Sequence, residues 1–264
     1  MRFPSCLERI GLAGLLLLLA GSRSARAEEK PPAAREFVVS FGYRAWFEKT
    51  SGDALIPEQG YTLLHGPVLG LGYREWGLTV TYLQGGGSTE GLLLAGEPAV
   101  PLSVKATQER EDVDVALSYR VLGFLRPFVG YKIVHVPILL RTTSGTDTLT
   151  VDQSDTFRGP TFGVNALLRP FKDDRFFLSG TFLYGPLRVR SEELVHYPDG
   201  TVESHTSEAY SVHGLNLDVA VGCAMGHGIT ATAGYRSQQV RRNEEQDAGP
   251  EKIQGPVFAL VYSF

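Results

Sequence analysis

Cysteine is almost missing from this chain. There are two, Cys6 and Cys223, in 264 residues. Cys6 lies within a leader-like N-terminus, so the remainder keeps one thiol and can form neither an internal disulfide nor a cysteine-rich zinc site. Long hydrophobic runs are missing too. The longest, residues 10–20 (IGLAGLLLLLA), has 11 residues, against about 20 for a spanning helix. Basic charge is not in excess. Arg2, Arg9, the short apolar run and Ala25-Arg26-Ala27 read as a secretory signal peptide over residues 1–27. Beyond it stand 21 basic and 28 acidic residues, a net charge of −7, which excludes nucleic acid as an expected partner. No phosphate-cradling glycine loop and no His/Cys/Asp/Glu spacing of a metal site is present. The expectation is no cofactor, no metal and no catalytic residue.

What the chain has in quantity is alternation. Apolar and polar residues alternate in long runs, and side chains on a strand point to opposite faces with period two. Residues 28–35 (EEKPPAAR) are a polar lead-in, and residues 36–264 form one β domain. The first strand, residues 36–48, puts Phe37, Val39, Phe41, Tyr43 and Phe47 on one face and Arg44 and Trp46 on the other. Strands two and three, residues 61–73 and 76–83, flank a turn at Arg74-Glu75. A long loop is expected over residues 84–108, with Leu92-Leu93-Leu94 folding back on it or touching lipid or a partner.

Strands four and five specify their own register. Centring the turn near Phe124 sets Leu117 opposite Val129 and Val115 opposite Tyr131, while Asp114 meets Lys132. A loop is expected over residues 139–155. Strands six and seven join at residues 169–175, with Phe162 facing Phe182 and Asn165 facing Ser179. The next loop, residues 188–208, carries Tyr197-Pro198-Asp199-Gly200, a hairpin turn signal that lets strand seven run on and return. Strands eight and nine join at residues 222–228, with Val221 facing Ile229. Gly-Pro recurs at residues 66, 159 and 255, read as the first residues of descending strands, where proline is tolerated.

The chain finishes on QGPVFALVYSF, with Phe258, Leu260, Tyr262 and Phe264 on one face. The fold expected is all-β: an antiparallel up-and-down transmembrane β-barrel. It has ten strands, with eight or twelve as alternatives, and the last strand closes on the first. Closure follows because backbone groups in hydrocarbon need partners within the protein. Ten is even, so both ends of the domain fall on the side of the short turns. Apolar faces turn to lipid, with Tyr43, Tyr73, Trp76, Tyr82, Tyr119, Tyr131, Tyr184, Tyr235, Tyr262 and Phe264 towards the strand ends as girdles. The inward polar set is expected to satisfy itself as a network of Arg44, Asp112, Asp114, Arg120, Lys132, Asn165, Asn216, Asp218 and Arg236.

With its leader, its ten alternating segments and its terminal FALVYSF, the chain resembles the small outer-membrane β-barrel proteins of Gram-negative bacteria. The resemblance implies export through the Sec pathway, residence in the outer membrane among its lipids, and insertion by the barrel assembly machinery. Phe258, Leu260, Tyr262 and Phe264 would be the assembly signal. It implies little about activity. Omptin proteases share the expected architecture, with acidic and His-Asp pairs at the rim. Here Asp147, Asp152, Asp155, Glu192, Glu193, His196, Glu203, His205 and Glu208 are rim candidates, with His196 near Glu203 and Glu193 near His205, but they do not match the omptin pattern. No expected strand carries the His-x-Ser arrangement of outer-membrane lipid hydrolases; His205-Thr206-Ser207 falls in an expected loop. The function expected is a structural or surface-interaction role through extracellular loops with an unknown ligand. The alternatives are a narrow channel or a rim hydrolase.

Overall fold

The computed structural model describes residues 37–51, 62–95, 100–145, 147–170, 173–207, 209–242 and 251–264. The leader and the lead-in expected over residues 1–35 lie outside the described residues. The strands are β1 (Phe37–Ser51), β2 (Thr62–Tyr73), β3 (Trp76–Ala95), β4 (Val100–Tyr119), β5 (Leu125–Ser144), β6 (Asp147–Leu168), β7 (Phe176–His196), β8 (Val202–Thr206), β9 (Tyr210–Gly226), β10 (Ile229–Arg242) and β11 (Glu251–Ser263). All neighbours are antiparallel. β1 pairs with β11, and β6 with β7, so the sheet closes. Ten strands make the wall. The short eleventh, β8, hairpins back on the far end of β7, along the edge that β9 occupies below.

The outer wall is apolar. On β1, Phe37, Phe41, Tyr43 and Phe47 are exposed, while Gly42, Trp46 and Glu48 between them are buried in the lumen. Ten residue steps at about 3.3 Å, tilted about 40°, make this stripe about 25 Å tall, the height of an outer-membrane barrel's apolar band. Tyr73, Trp76, Tyr119, Tyr262 and Phe264 ring the short-turn end, exposed. Trp76 and Tyr119 meet edge-on across the β3–β4 pair, with centroids 4.8 Å apart.

Several expectations need correction. Residues 84–108 and 139–155 are not long loops. β3 and β4 stay paired from Trp76↔Tyr119 to Ala95↔Val100, and β5 and β6 from Leu125↔Ala166 to Ser144↔Asp147. The apolar stripe of β3 stops near Tyr82, but the ladder does not, because two paired strands satisfy each other's backbone whether lipid or water surrounds them. Leu92 is thus a strand residue on a ribbon, 76% exposed.

The β4–β5 register is as expected, with Leu117↔Val129, Val115↔Tyr131 and Asp114↔Lys132. The β6–β7 register is displaced by two residues, so Phe162 faces Tyr184 and Asn165 faces Thr181. The β9–β10 register is displaced by four, with Val221 facing Ala233, because β9 runs on to a tight turn at His227 (φ 51°) and Gly228 (φ 81°). Both displacements are even, which preserves every face.

The Gly-Pro pairs also sit differently: they lie inside long strands. The β2–β3 ladder skips from His65↔Gln84 to Val68↔Thr81 at Pro67, and the β1–β11 ladder skips from Trp46↔Val257 to Lys49↔Gln254 at Pro256. Proline cannot donate a ladder bond. The preceding glycine lets the backbones close on each other, since a Cβ on Gly255 would stand 1.8 Å from the Phe47 carbonyl oxygen.

Candidate functional site

The lumen is filled from several strands at once. Inward positions follow from parity: Arg44, Trp46 and Glu48 on β1, Arg110, Asp112 and Asp114 on β4, Lys132 on β5, Asn216 and Asp218 on β9, and Arg236 and Gln238 on β10. Arg110 donates through Nε and Nη2 to the two carboxylate oxygens of Asp112, at 2.7 and 2.9 Å. Its Nη1 reaches across to Glu48 at 3.0 Å, and Nη2 also reaches Gln238 at 3.2 Å. Lys132 Nζ bridges Asp112 and Asp114 at 3.1 and 3.0 Å. Arg44 spans from β1 to Asp218 at 2.6 Å, and Arg236 lies 3.1 Å from the same carboxylate while donating to Asn216 at 3.3 Å. Four cations thus face four carboxylates. Asp112, Lys132, Arg110, Arg236 and Glu48 are all buried. Charges removed from water this far persist only when matched, and here the matching is complete in number.

Trp46 anchors the network's apolar side. It is fully buried, packed with Leu64, Leu83, Ile253 and Val257. The guanidinium carbons of Arg110 and Arg236 stand 5.3 and 4.9 Å from its ring centroid, within cation–π reach. A second apolar layer, Leu187, Val189 and Val212, fills the lumen beside β7 and β9.

Of the expected lumen residues, Arg44, Asp112, Asp114, Lys132, Asn216, Asp218 and Arg236 converge on this network. Asn165 lies apart, accepting from Thr181 at 2.7 Å. Arg120 is not in the lumen: it is exposed at the short-turn rim, 3.5 Å from Glu75. Glu48 and Arg110 were missed because both fell at the edge of presumed loops. Their parity with Trp46 and Asp112 was the signal available.

On the β7–β8 hairpin, Glu193 pairs in register with His205 as expected, and Glu203 lies 3.6 Å from the His205 ring. His196 is not beside Glu203. It faces Val202, and Glu203 accepts instead from Tyr197 at 2.9 Å, which raises the Tyr197 phenol above its ordinary value. The Thr201 amide donates to Asp199 at 2.9 Å and holds that carboxyl below the usual range. Asp155 is held by the Ser191 hydroxyl and by Gln153. These groups are dispersed along exposed ribbons. Among the described residues no group of three or more His, Cys, Asp or Glu could hold a metal ion.

A closed ten-strand antiparallel sheet, an apolar wall with aromatic ends and a charge-balanced interior define a transmembrane β-barrel of the outer-membrane class. Solved structures of similar fold include the outer-membrane protease OmpT of Escherichia coli, at 9% identity and TM-score 0.49, covering 89% of this chain and 99% of that one. The translocator domain of the autotransporter NalP from Neisseria meningitidis matches at 6% identity and TM-score 0.48, covering 97% and 96%. The attachment invasion locus protein Ail of Yersinia pestis matches at 10% identity and TM-score 0.35, covering 87% and 100%. These likenesses bring no residue or activity across to this chain. No protein-family model and no curated relative matches it.

Proposed function

We propose that this protein is a closed, non-catalytic outer-membrane scaffold that presents its β-ribbons to the cell exterior as an interaction surface. The observation that carries this reading is the lumen. Arg44–Asp218 and Arg110–Glu48 each tie together strands three apart in the wall, β1 to β9 and β4 to β1, beside the buried apolar layer around Trp46. A barrel whose interior is spent on self-satisfaction has its ribbons left for contact. The β3–β4 and β5–β6 ribbons continue as paired strands well past the apolar belt and carry exposed side chains such as Glu90, Leu92 and Arg141.

In this reading residues 1–27 direct Sec export. The assembly machinery recognises Phe258, Leu260, Tyr262 and Phe264, a recognition supported by their shared exposed face on the closing strand. The experiment is surface labelling of Ser103→Cys, an exposed ribbon position, in a Cys223→Ser background that removes the native free thiol. A membrane-impermeant maleimide added to intact cells reacts with it if the ribbons face outward. Reaction only after the envelope is opened would put the ribbons in the periplasm and end the proposal.

A further inference from the structure

Two arginines without a carboxylate partner among the described residues face each other where the β6–β7 ladder is interrupted. The β6–β7 ladder runs from Thr150↔His196 to Arg158↔Arg188, breaks off, and resumes at Phe162↔Tyr184. Pro160 and Pro186 occupy the break, and neither has an N–H to give. A cavity of about 540 Å³ opens there on the outside of the barrel, lined among others by Tyr131, Pro160, Pro186 and Ser211, with Arg158 and Arg188 at its edge. The two arginines are in direct register, outward-facing and exposed. Like charges directly opposite on paired strands repel. Among the described residues neither has a carboxylate partner, whereas their neighbour Arg190 is neutralised by Glu192 at 2.9 Å.

The position of this pair identifies a ligand. Tyr131, Phe162 and Tyr184, directly below, are exposed belt aromatics. Arg158 and Arg188 stand four residues beyond Phe162 and Tyr184, about 10 Å along a tilted strand, where headgroups replace hydrocarbon. Tyr184 is braced on the same face by a 2.6 Å hydrogen bond between its hydroxyl and His213 Nδ1. We propose that this cavity binds a lipid with a phosphate-bearing headgroup, the phosphate held between the two guanidinium groups and the acyl chains lying on Phe162 and Tyr184. Guanidinium forks match phosphate oxygens in pairs, and one phosphate between them turns repulsion into two charge-assisted contacts. The inference goes beyond the surface-interaction reading, for it concerns the belt and not the ribbons.

The test uses the full mature protein refolded in zwitterionic detergent, titrated with phosphatidic acid and followed by native mass spectrometry. One tightly held lipid is expected on the wild type. Arg158→Gln and Arg188→Gln should each weaken it about tenfold, one charge-assisted contact being worth about that factor. Arg190→Gln should leave it unchanged. Without lipid, either single Gln variant should unfold at the same urea concentration as wild type or a higher one, because repulsion is relieved; this checks that the variants fold. Equal binding by the Arg158→Gln/Arg188→Gln double variant would overturn the proposal, as would equal weakening by Arg190→Gln. Inorganic phosphate competing as strongly as the lipid would also overturn it, by making the ligand a free anion.

Discussion

Replacing Asp112 with alanine tests the lumen network most severely. Asp112 is 1% exposed and takes three hydrogen bonds, two from Arg110 and one from Lys132. Its loss leaves four cations against three carboxylates around a fully enclosed position. Removing one member of a buried ion pair costs about 3–5 kcal/mol. Arg110 keeps Glu48 and Gln238, and Lys132 keeps Asp114, so the low end of that range, about 3 kcal/mol, applies. With a urea slope of about 2 kcal/mol per molar, the unfolding midpoint falls by about 1.5 M. The assay is reversible urea unfolding in lipid vesicles, read by tryptophan fluorescence, since Trp46 lies against Arg110. Lys132→Met completes a double-mutant cycle. It removes one cation, so the double variant is again balanced in charge and should cost less than the sum of the singles by about 1–2 kcal/mol. A loss under about 0.5 kcal/mol for Asp112→Ala, or strictly additive costs, would refute the idea that these charges hold one another in place.

Other outcomes follow from the same geometry. Leu260, 53% exposed on the outer face of β11, sits mid-belt, so Leu260→Arg should cost about 2–4 kcal/mol in lipid, and an unchanged unfolding free energy would mean that this face does not meet hydrocarbon. Trp46→Ala should cost about 3–5 kcal/mol by emptying a fully buried site, while Trp46→Phe should cost clearly less, because the indole Nε1 has no hydrogen-bond partner to lose; equal losses would contradict that. The Asp199 carboxyl is held below its ordinary range, so its contribution to the β7–β8 turn is full above the unfolded carboxyl value and is lost as pH falls through the lower folded one. The protection of the Thr201 amide against exchange, taken relative to its intrinsic rate at each pH, should therefore fall on acidification, and Asp199→Asn should remove that dependence.

Much of the fold was legible because lipid imposes a one-sided code. The outward stripes of β1, β5 and β11 and the closing partnership of β11 with β1 can be read from alternation alone. The β4–β5 register was readable because apolar pairs and the Asp114–Lys132 pair point to the same alignment. The β6–β7 and β9–β10 registers were not: a shift of two or four keeps every residue on its face, and only the turns at residues 169–175 and at His227-Gly228 distinguish the alternatives. The ribbons were hidden for the complementary reason. Past the belt both faces are wet, so alternation fades while the ladder continues. Glu48 and Arg110 were lost with them, although each obeys the parity of its strand. Arg120 shares the lumen parity but stands at the rim, where parity no longer implies enclosure.

The central claim is that the interior is closed. Refolded mature protein in a planar bilayer should give a flat current at every holding voltage, with insertion verified by the labelled Ser103→Cys variant. Discrete, reproducible conductance steps from the wild-type barrel would contradict it, and would make the Arg110–Glu48 and Arg44–Asp218 contacts the lining of a path and not its seal.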